Sequence, residues 1–266
     1  MEPIGIKNPF PGASTLLIER TESTQEEAKR LAAKGLPPGS LVAADAQSAG
    51  RGRFPERRWE SETGKNLLFT IYLDVSAAAL PGLPLRIGLA LCAAVSGYAN
   101  LLGARFPSPP RIKWPNDLFI GDRKAAGILC EAGPAGVFAG IGLNCNQNSF
   151  SRELADKTTS LAKELGREVS RWALLELFLE FLQRALSDPY WRKEVDKRLW
   201  RRGELLSFLP GTVGREPGRE DGAIVGILEG IDESGSILVR REDEEKARAY
   251  PAGELTLAPP LYKVVL

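Results

Sequence analysis

The densest chemistry in the sequence lies at residues 47–53, which read Gln47, Ser48, Ala49, Gly50, Arg51, Gly52 and Arg53, with Arg57, Arg58 and Trp59 close behind. Glycine lets backbone amides come close to a ligand. Arg51 and Arg53 add planar, permanently charged forks that match phosphate and carboxylate oxygens. A loop of this kind can fold over a polyanion and exclude water from it. On its own the pattern fits equally a solvated basic loop or an arginine–glycine contact to nucleic acid.

A second concentration runs Lys113, Trp114, Pro115, Asn116, Asp117, with Asp122, Arg123 and Lys124 following. Asn116 and Asp117 are oxygen donors of the type Mg²⁺ takes alongside water and phosphate. Lys113 and Lys124 are mobile cations for a carboxylate or phosphate. A decorated turn with a packed Trp and a capping Asp would use the same residues. The third segment, 140–146, alternates glycine with apolar residues and ends Asn144, Cys145, Asn146. Glycines in a strand mark close approach of a planar ligand or of another backbone; a tightly packed core strand also accounts for them, and more readily. The spacing is not that of a dinucleotide fingerprint. The fourth is Ser23, Thr24 and Gln25. Their hydroxyls and amide suit a neutral polar ligand such as an amide or ureido group, or simple helix capping.

Composition removes several alternatives. There is no histidine, which excludes His-based triads, His zinc ligands and imidazole acid–base catalysis. Lys and Arg total 35 against 34 Asp and Glu, so any attraction for anions must be local. That balance also weighs against a nucleic-acid-binding module. Cys92, Cys130 and Cys145 lack metal-like spacing and read as reduced, buried thiols. No run approaches the ~20 apolar residues of a spanning helix, and residues 1–11 carry no signal-peptide pattern. A soluble, cytoplasmic protein with no membrane partner is the expectation.

The elements that must position these residues follow from periodicity. Residues 13–20 read as a strand and 21–34 as a helix, capped by Ser23 with Glu26 completing a capping box and Gly35 ending it. Strands are expected at 41–46, 66–73, 111–114, 118–120, 124–131 and 137–146, with 48–63 a loop. Helices are expected at 85–102, 171–186 and 190–202. The texture changes near 205–211, and 211–266 reads as short strands of a small β-barrel or sandwich. The fold class is α+β, with a larger domain at 1–208 and a smaller one at 209–266.

Taken in order, these segments resemble the biotin protein ligase family. The family's Ser-Thr-Asn helix start appears as Ser23, Thr24, Gln25, and its Gln-x-Ala-Gly-Arg-Gly-Arg loop as 47–53, with Trp59 beyond. Its Gly-x-Asn-Leu appears at 64–67, Lys-Trp-Pro-Asn-Asp at 113–117, Lys-x-x-Gly-Ile-Leu at 124–129 and Gly-Ile-Gly-x-Asn-x-Asn at 140–146. Each motif is weak to moderate; the ordered set is specific, and it spans residues 23–146.

The resemblance implies an enzyme that makes biotinyl-AMP from biotin and MgATP, then passes biotin to a lysine of a biotin carboxyl carrier protein. Biotin would be held by Ser23, Thr24, Gln25, Gln47, Arg51, Gly52, Arg53 and Lys124. ATP and the adenylate would be held by Trp59, Asn66, Lys113, Asn116 and Asn144, and the metal by Asn116 and Asp117. Lys124, Arg51, Arg53 and Asp117 would carry the catalysis. The implied fold is a mixed sheet with helices on one side, similar to class II aminoacyl-tRNA synthetases, followed by an SH3-like module. A lipoate or octanoate protein ligase shares that fold and chemistry and is the alternative. Homodimerisation is left open.

The sequence departs from the family in three places. Gln25 stands where Asn is usual, and 54–58 read Phe-Pro-Glu-Arg-Arg rather than the usual spacing before Trp. Ser23 also comes too early for an N-terminal helix-turn-helix to precede it, so DNA-binding repressor activity is not expected.

Overall fold

The computed structural model describes residues 1–211 and 223–255, apart from 55 and 57. Arg57 and the strands expected within 212–222 and 256–266 therefore lie outside the described residues. Among the described residues, eight strands form one sheet: β1 (Glu2–Pro3), β2 (Thr15–Thr21), β3 (Leu41–Gln47), β4 (Leu67–Leu73), β5 (Pro110–Lys113), β6 (Asp117–Ile120), β7 (Arg123–Gly133) and β8 (Gly136–Leu143). Their order across the sheet is β1-β2-β3-β4-β8-β7-β6-β5. Only β2 and β3 run parallel, joined through helix α1 (Thr24–Ala32); the other pairs are antiparallel.

The remaining helices are α2 (Val75–Ala78), α3 (Leu83–Leu101), α4 (Leu161–Leu165), α5 (Arg171–Ser187) and α6 (Trp191–Arg198). α2 and α4 were not expected from periodicity, being too short to display it. Leu41, Ala43, Phe69, Ile71, Val137, Ala139 and Ile141 face the main core, which α3 and α5 close with Ile87, Leu91, Val95, Phe178 and Leu182. The alternate residues Val42, Tyr72 and Phe138 face the other way, against Ala28 of α1. The period of two along a strand makes this division. The expectation of helices on one side is thus corrected: α1 covers part of the opposite face, because Ala28 and Leu31 supply it with an apolar stripe.

The second sheet is antiparallel and contains β9 (Leu205–Pro210), β10 (Ile224–Ile231), β11 (Ile237–Arg240), β12 (Arg248–Tyr250) and β13 (Gly253–Leu255), in the order β12-β11-β10-β9-β13. Its first strand begins at Leu205. It packs directly on the first sheet's elements. The Trp114 and Phe208 rings meet edge-on at 6.0 Å, and Trp114 Nε1 donates to Gly235 O at 2.9 Å. No described helix is long and apolar enough to cross a membrane.

Candidate active site

The site lies on the face of the first sheet that α1 only partly covers. Along β8 the odd-numbered residues Val137, Ala139, Ile141 and Leu143 enter the main core, which turns Gly140 and Gly142 to the open face. A methyl group on Gly140 would collide with the Gln25 amide, and one on Gly142 with the Trp59 indole. A methyl on Gly127 of β7 would come within 3.2 Å of both Trp59 and the Lys124 ammonium. The three glycines therefore clear a slot in the sheet surface, and a cavity of about 720 Å³ opens above it.

At one end of the cavity sits a polar network. Thr24 donates its backbone N–H to Gln47 Oε1 at 2.7 Å, and its hydroxyl contacts the same oxygen at 3.1 Å. The Thr24 and Thr70 hydroxyls are 2.9 Å apart, and Thr70 donates to Gln25 Oε1 at 3.2 Å. Gln25 Nε2 donates to the carbonyls of Phe138 and Leu129 at 2.9 and 3.3 Å. The longer amide at position 25 is thus used to bridge α1 to β7 and β8. Ser23 occupies the N-cap position of α1 with its side chain making no cap bond. The expected capping box does not form: Gln47 serves Thr24 N–H from another strand, and Glu26 pairs with Lys29 and Arg51.

The arginine loop folds back on itself. Arg51 and Arg58 pair as an antiparallel bridge, and Trp59 N donates to Gly50 O at 3.0 Å. This turn lays the Trp59 ring on Gly127 and Gly142. Arg51, Gly52, Arg53 and Trp59 all line the cavity. Arg51 is tethered to Glu26, and Arg53 Nη2 donates to Gly253 O of the second sheet at 2.9 Å. Glu26 titrates below the ordinary carboxylate value: partial burial opposes this, and the hydrogen bonds from Lys29 and Arg51 outweigh it.

The turn between β5 and β6 supplies the opposite wall. The Trp114–Pro115 peptide is cis. Asn116 Nδ2 donates to Ile128 O at 2.6 Å, and the residue lines the cavity. Asp117 lies 2.7 Å from Lys124 Nζ, off the direction of an aligned hydrogen bond. The Lys113 ammonium rests 5.1 Å from the Phe119 ring and 5.7 Å from the Trp200 ring, at cation–π distance.

Asn144 donates Nδ2 to Thr159 O at 3.0 Å and leaves Oδ1 without a partner. Trp59 Nε1 is buried and unpartnered as well. Buried polar atoms are normally satisfied, so two orphans in one cavity point to a polar ligand that completes them. Asn66 stands apart from the expected set. It is fully buried, donates to Ser61 Oγ and Gln147 Oε1, and accepts from Cys145 N–H. Its side chain ties the 61–66 turn to the end of β8 and does not line the cavity.

Sequence reasoning missed Thr70, which looks like one apolar-strand residue among others, and Phe150, Leu154, Lys157 and Thr158, which line the cavity from a segment without periodicity. That segment is held beside Lys124 by backbone bonds, Lys124 N to Lys157 O and Thr159 N to Lys124 O. It also missed Glu254.

For a divalent cation, Asn116 and Asp117 offer an amide oxygen and a carboxylate, and the described residues contain no cluster of three His, Cys, Asp or Glu that could hold one. This donor set fits magnesium that arrives with nucleotide phosphates, since Mg²⁺ commonly takes one or two carboxylates and completes its shell with phosphate and water.

The sequence matches the biotin/lipoate A/B protein ligase family over residues 17–148. It is 32% identical over 249 residues to the bifunctional ligase/repressor BirA of Bacillus subtilis, covering 90% of this chain and 73% of that protein. It is 32% identical to the biotin–[acetyl-CoA-carboxylase] ligase of Paracoccus denitrificans, covering 84% of this chain and 93% of the relative. Its fold is similar to that of the Aquifex aeolicus biotin protein ligase solved with biotin and ATP, with a TM-score of 0.76 and 27% identity over 91% of this chain and 97% of that one. With its ordered motifs gathered around one cavity, the chain belongs to the biotin/lipoate A/B protein ligase family.

Proposed function

We infer that this chain is an ATP-dependent biotin protein ligase, which forms biotinyl-5′-AMP and transfers biotin to a lysine of a carrier protein. The observation that carries this reading is the cavity itself. It joins a neutral polar network at Thr24, Gln25 and Gln47 to a cationic region at Arg51, Arg53, Lys113 and Lys124. A ureido ring needs the first and an adenylate the second. The relatives named as biotin ligases favour biotin over lipoate, and a lipoyl tail would leave the polar network unanswered.

The reaction follows from charge. Biotin's carboxylate, already ionised at neutral pH, attacks the α-phosphorus of ATP and pyrophosphate leaves. Two anions must be brought together. Lys124, Arg51 and Arg53 neutralise them and stabilise the charge that develops. No general base is required in this step. Lys113 and the oxygens of Asn116 and Asp117 face the phosphates; bound there, Mg²⁺ would screen the β- and γ-phosphate charge. Trp59 and Asn144 flank the adenine, with Asn144 Oδ1 taking its exocyclic amine. Loop 47–59 covers the mixed anhydride and limits hydrolysis. In the second half-reaction the carrier's ε-amine attacks the acyl carbon and AMP leaves; we assign to Asp117 the proton that the amine loses.

The finer architectural reading is a class II synthetase-like catalytic unit at 1–208 with an SH3-like second module at 209–266. Its acceptor is the biotin carboxyl carrier of acetyl-CoA carboxylase, in the cytoplasm. Biotin-dependent ATP–pyrophosphate exchange, run beside lipoate and octanoate, tests the reading. Exchange with biotin alone supports it; exchange with lipoate alone reassigns the pocket, and none with any acid removes the ligase assignment.

A further inference from the structure

At the neutral end of the cavity, three short contacts among four side-chain oxygens share two hydroxyl protons. Thr24 Oγ1 stands 3.1 Å from Gln47 Oε1 and 2.9 Å from Thr70 Oγ1, and Thr70 Oγ1 stands 3.2 Å from Gln25 Oε1. Gln25 Nε2 lies against the carbonyls of Phe138 and Leu129 at 2.9 and 3.3 Å, which uses both amide protons and turns Oε1 to Thr70. Gln25 Oε1 therefore takes the Thr70 proton. Gln47 Oε1 already accepts the Thr24 backbone N–H at 2.7 Å, so the Thr24 hydroxyl proton goes to Thr70. The other placings either strip Gln25 Oε1 of its donor or leave two hydroxyl oxygens in contact with no proton between them, both costly in a buried network. Thr70 and Gln25 are buried. Gly140, the cross-strand partner of Thr70, makes room for them, since a methyl there would collide with Gln25 Oε1.

We propose that Thr70, which does not itself line the cavity, determines specificity at its neutral end: it draws the Thr24 proton away, so that Thr24 Oγ1 can only accept from a ligand and the pocket selects a ring N–H. The donor chain runs from Thr24 to Thr70 to Gln25 and on to the strand carbonyls. A hydroxyl has one proton, and Thr24 has spent its own. Gln47 is fixed in the complementary sense, because its oxygen is taken by the Thr24 N–H and its amide nitrogen can only donate. Thr24 and Gln47 both line the cavity. An acceptor beside a donor matches a cyclic urea, which carries N–H next to C=O. A ring oxygen or sulfur in place of that N–H would meet a lone pair with a lone pair. The pocket thus rejects by a bond that it cannot make, and the positioning residue that removes the option stands behind the wall.

This proposal deepens the biotin ligase reading and rests on it. Isothermal titration calorimetry on the full chain compares biotin with the two cyclic carbamates in which a ring oxygen replaces one or the other ureido N–H. In the wild type the weaker carbamate should bind about 100-fold less tightly than biotin, as expected when a buried polar group is left unpaired. Thr70→Val keeps the shape of the side chain and removes the hydroxyl, which frees the Thr24 proton to turn to the ligand. Biotin should then weaken about tenfold while that carbamate does not, so the ratio between them narrows about tenfold. Thr70→Ser should restore the wild-type ratio. If Thr70 only supports the fold, both ligands weaken together and the ratio stands, which overturns the proposal. Wild-type protein that binds biotin and both carbamates equally overturns it and leaves the ligase reading intact, even where Thr70→Val does not fold. Wild-type protein that binds no biotin removes the ligase reading, and the proposal with it.

Discussion

Lys124 Nζ and Asp117 Oδ1 stand 2.7 Å apart across the neighbouring strands β7 and β6. The pair is partly solvent-exposed, at 33% and 19% of the side-chain surface, so it adds at most ~1 kcal/mol to stability. Its value is in placing a cation where two anions must meet. Lys124→Ala should lower biotin-dependent ATP–pyrophosphate exchange by about 10²–10³-fold with an unchanged circular dichroism spectrum. Wild-type exchange in this variant would remove Lys124 from the mechanism.

Gly142 lies directly beneath the Trp59 indole. Gly142→Ala adds a methyl to the site face of β8 and should push the ring out of its slot. We expect KM for ATP to rise about tenfold, equivalent to the ~1–3 kcal/mol typical of overpacking. Melting temperature should move little, because the core face of β8 is untouched. A variant with normal KM for ATP would mean that the nucleotide does not use this slot.

Gln25 bridges α1 to two strand carbonyls, those of Phe138 and Leu129. Gln25→Asn shortens the reach by one methylene and leaves buried acceptors unpaired, at a cost of ~1–3 kcal/mol. Urea denaturation should register the loss as a lower midpoint with an unaltered slope. An equal or higher midpoint would show that the shorter amide finds its own partners.

The Arg51–Glu26 tether should depend on pH in one direction. The folded-state pKa of Glu26 is depressed below its ordinary 4.5. The tether is therefore complete above that value and is lost as pH falls through the lower folded value. The Arg51 side-chain Nε–H signal in NMR should hold steady near neutral pH and shift only in that acidic window. Glu26→Gln should abolish the shift; its persistence would assign the titration to another group.

Cys92 and Cys145 are free, buried thiols that burial pushes up to about 12. The thiolate is the reactive form. Both should resist a thiol reagent at pH 8 until the protein is unfolded, with unchanged ligase activity after the treatment. Rapid modification of the folded enzyme at either position would contradict their burial.

Much of the site was legible because its motifs are local. Residues 47–53, 113–117 and 140–144 each carry their chemistry within a few positions, and the sheet then gathers them around one cavity. Glycine at 140 and 142 was readable as a close approach, although its object proved to be Gln25 and Trp59. What escaped depends on pairing between distant strands. Thr70 acquires its role only because β4 lies between β3 and β8. Glu254 reaches the cavity only because β13 pairs with β9. Ser23 misled for the same reason: a local capping rule expects its side chain to serve the helix, and a glutamine from β3 does so instead.

The alternation along β8 separates two kinds of selection within one strand. Ala139, Ile141 and Leu143 answer to the core, while Gly140 and Gly142 answer to what sits above the sheet. Substitutions at odd positions from 139 to 143 would be felt first as lost protein, and those at even positions as lost activity in protein that still folds. A parity of residue number thus divides inherited instability from inherited inactivity, and an enzyme of this build can change what it binds without renegotiating how it folds.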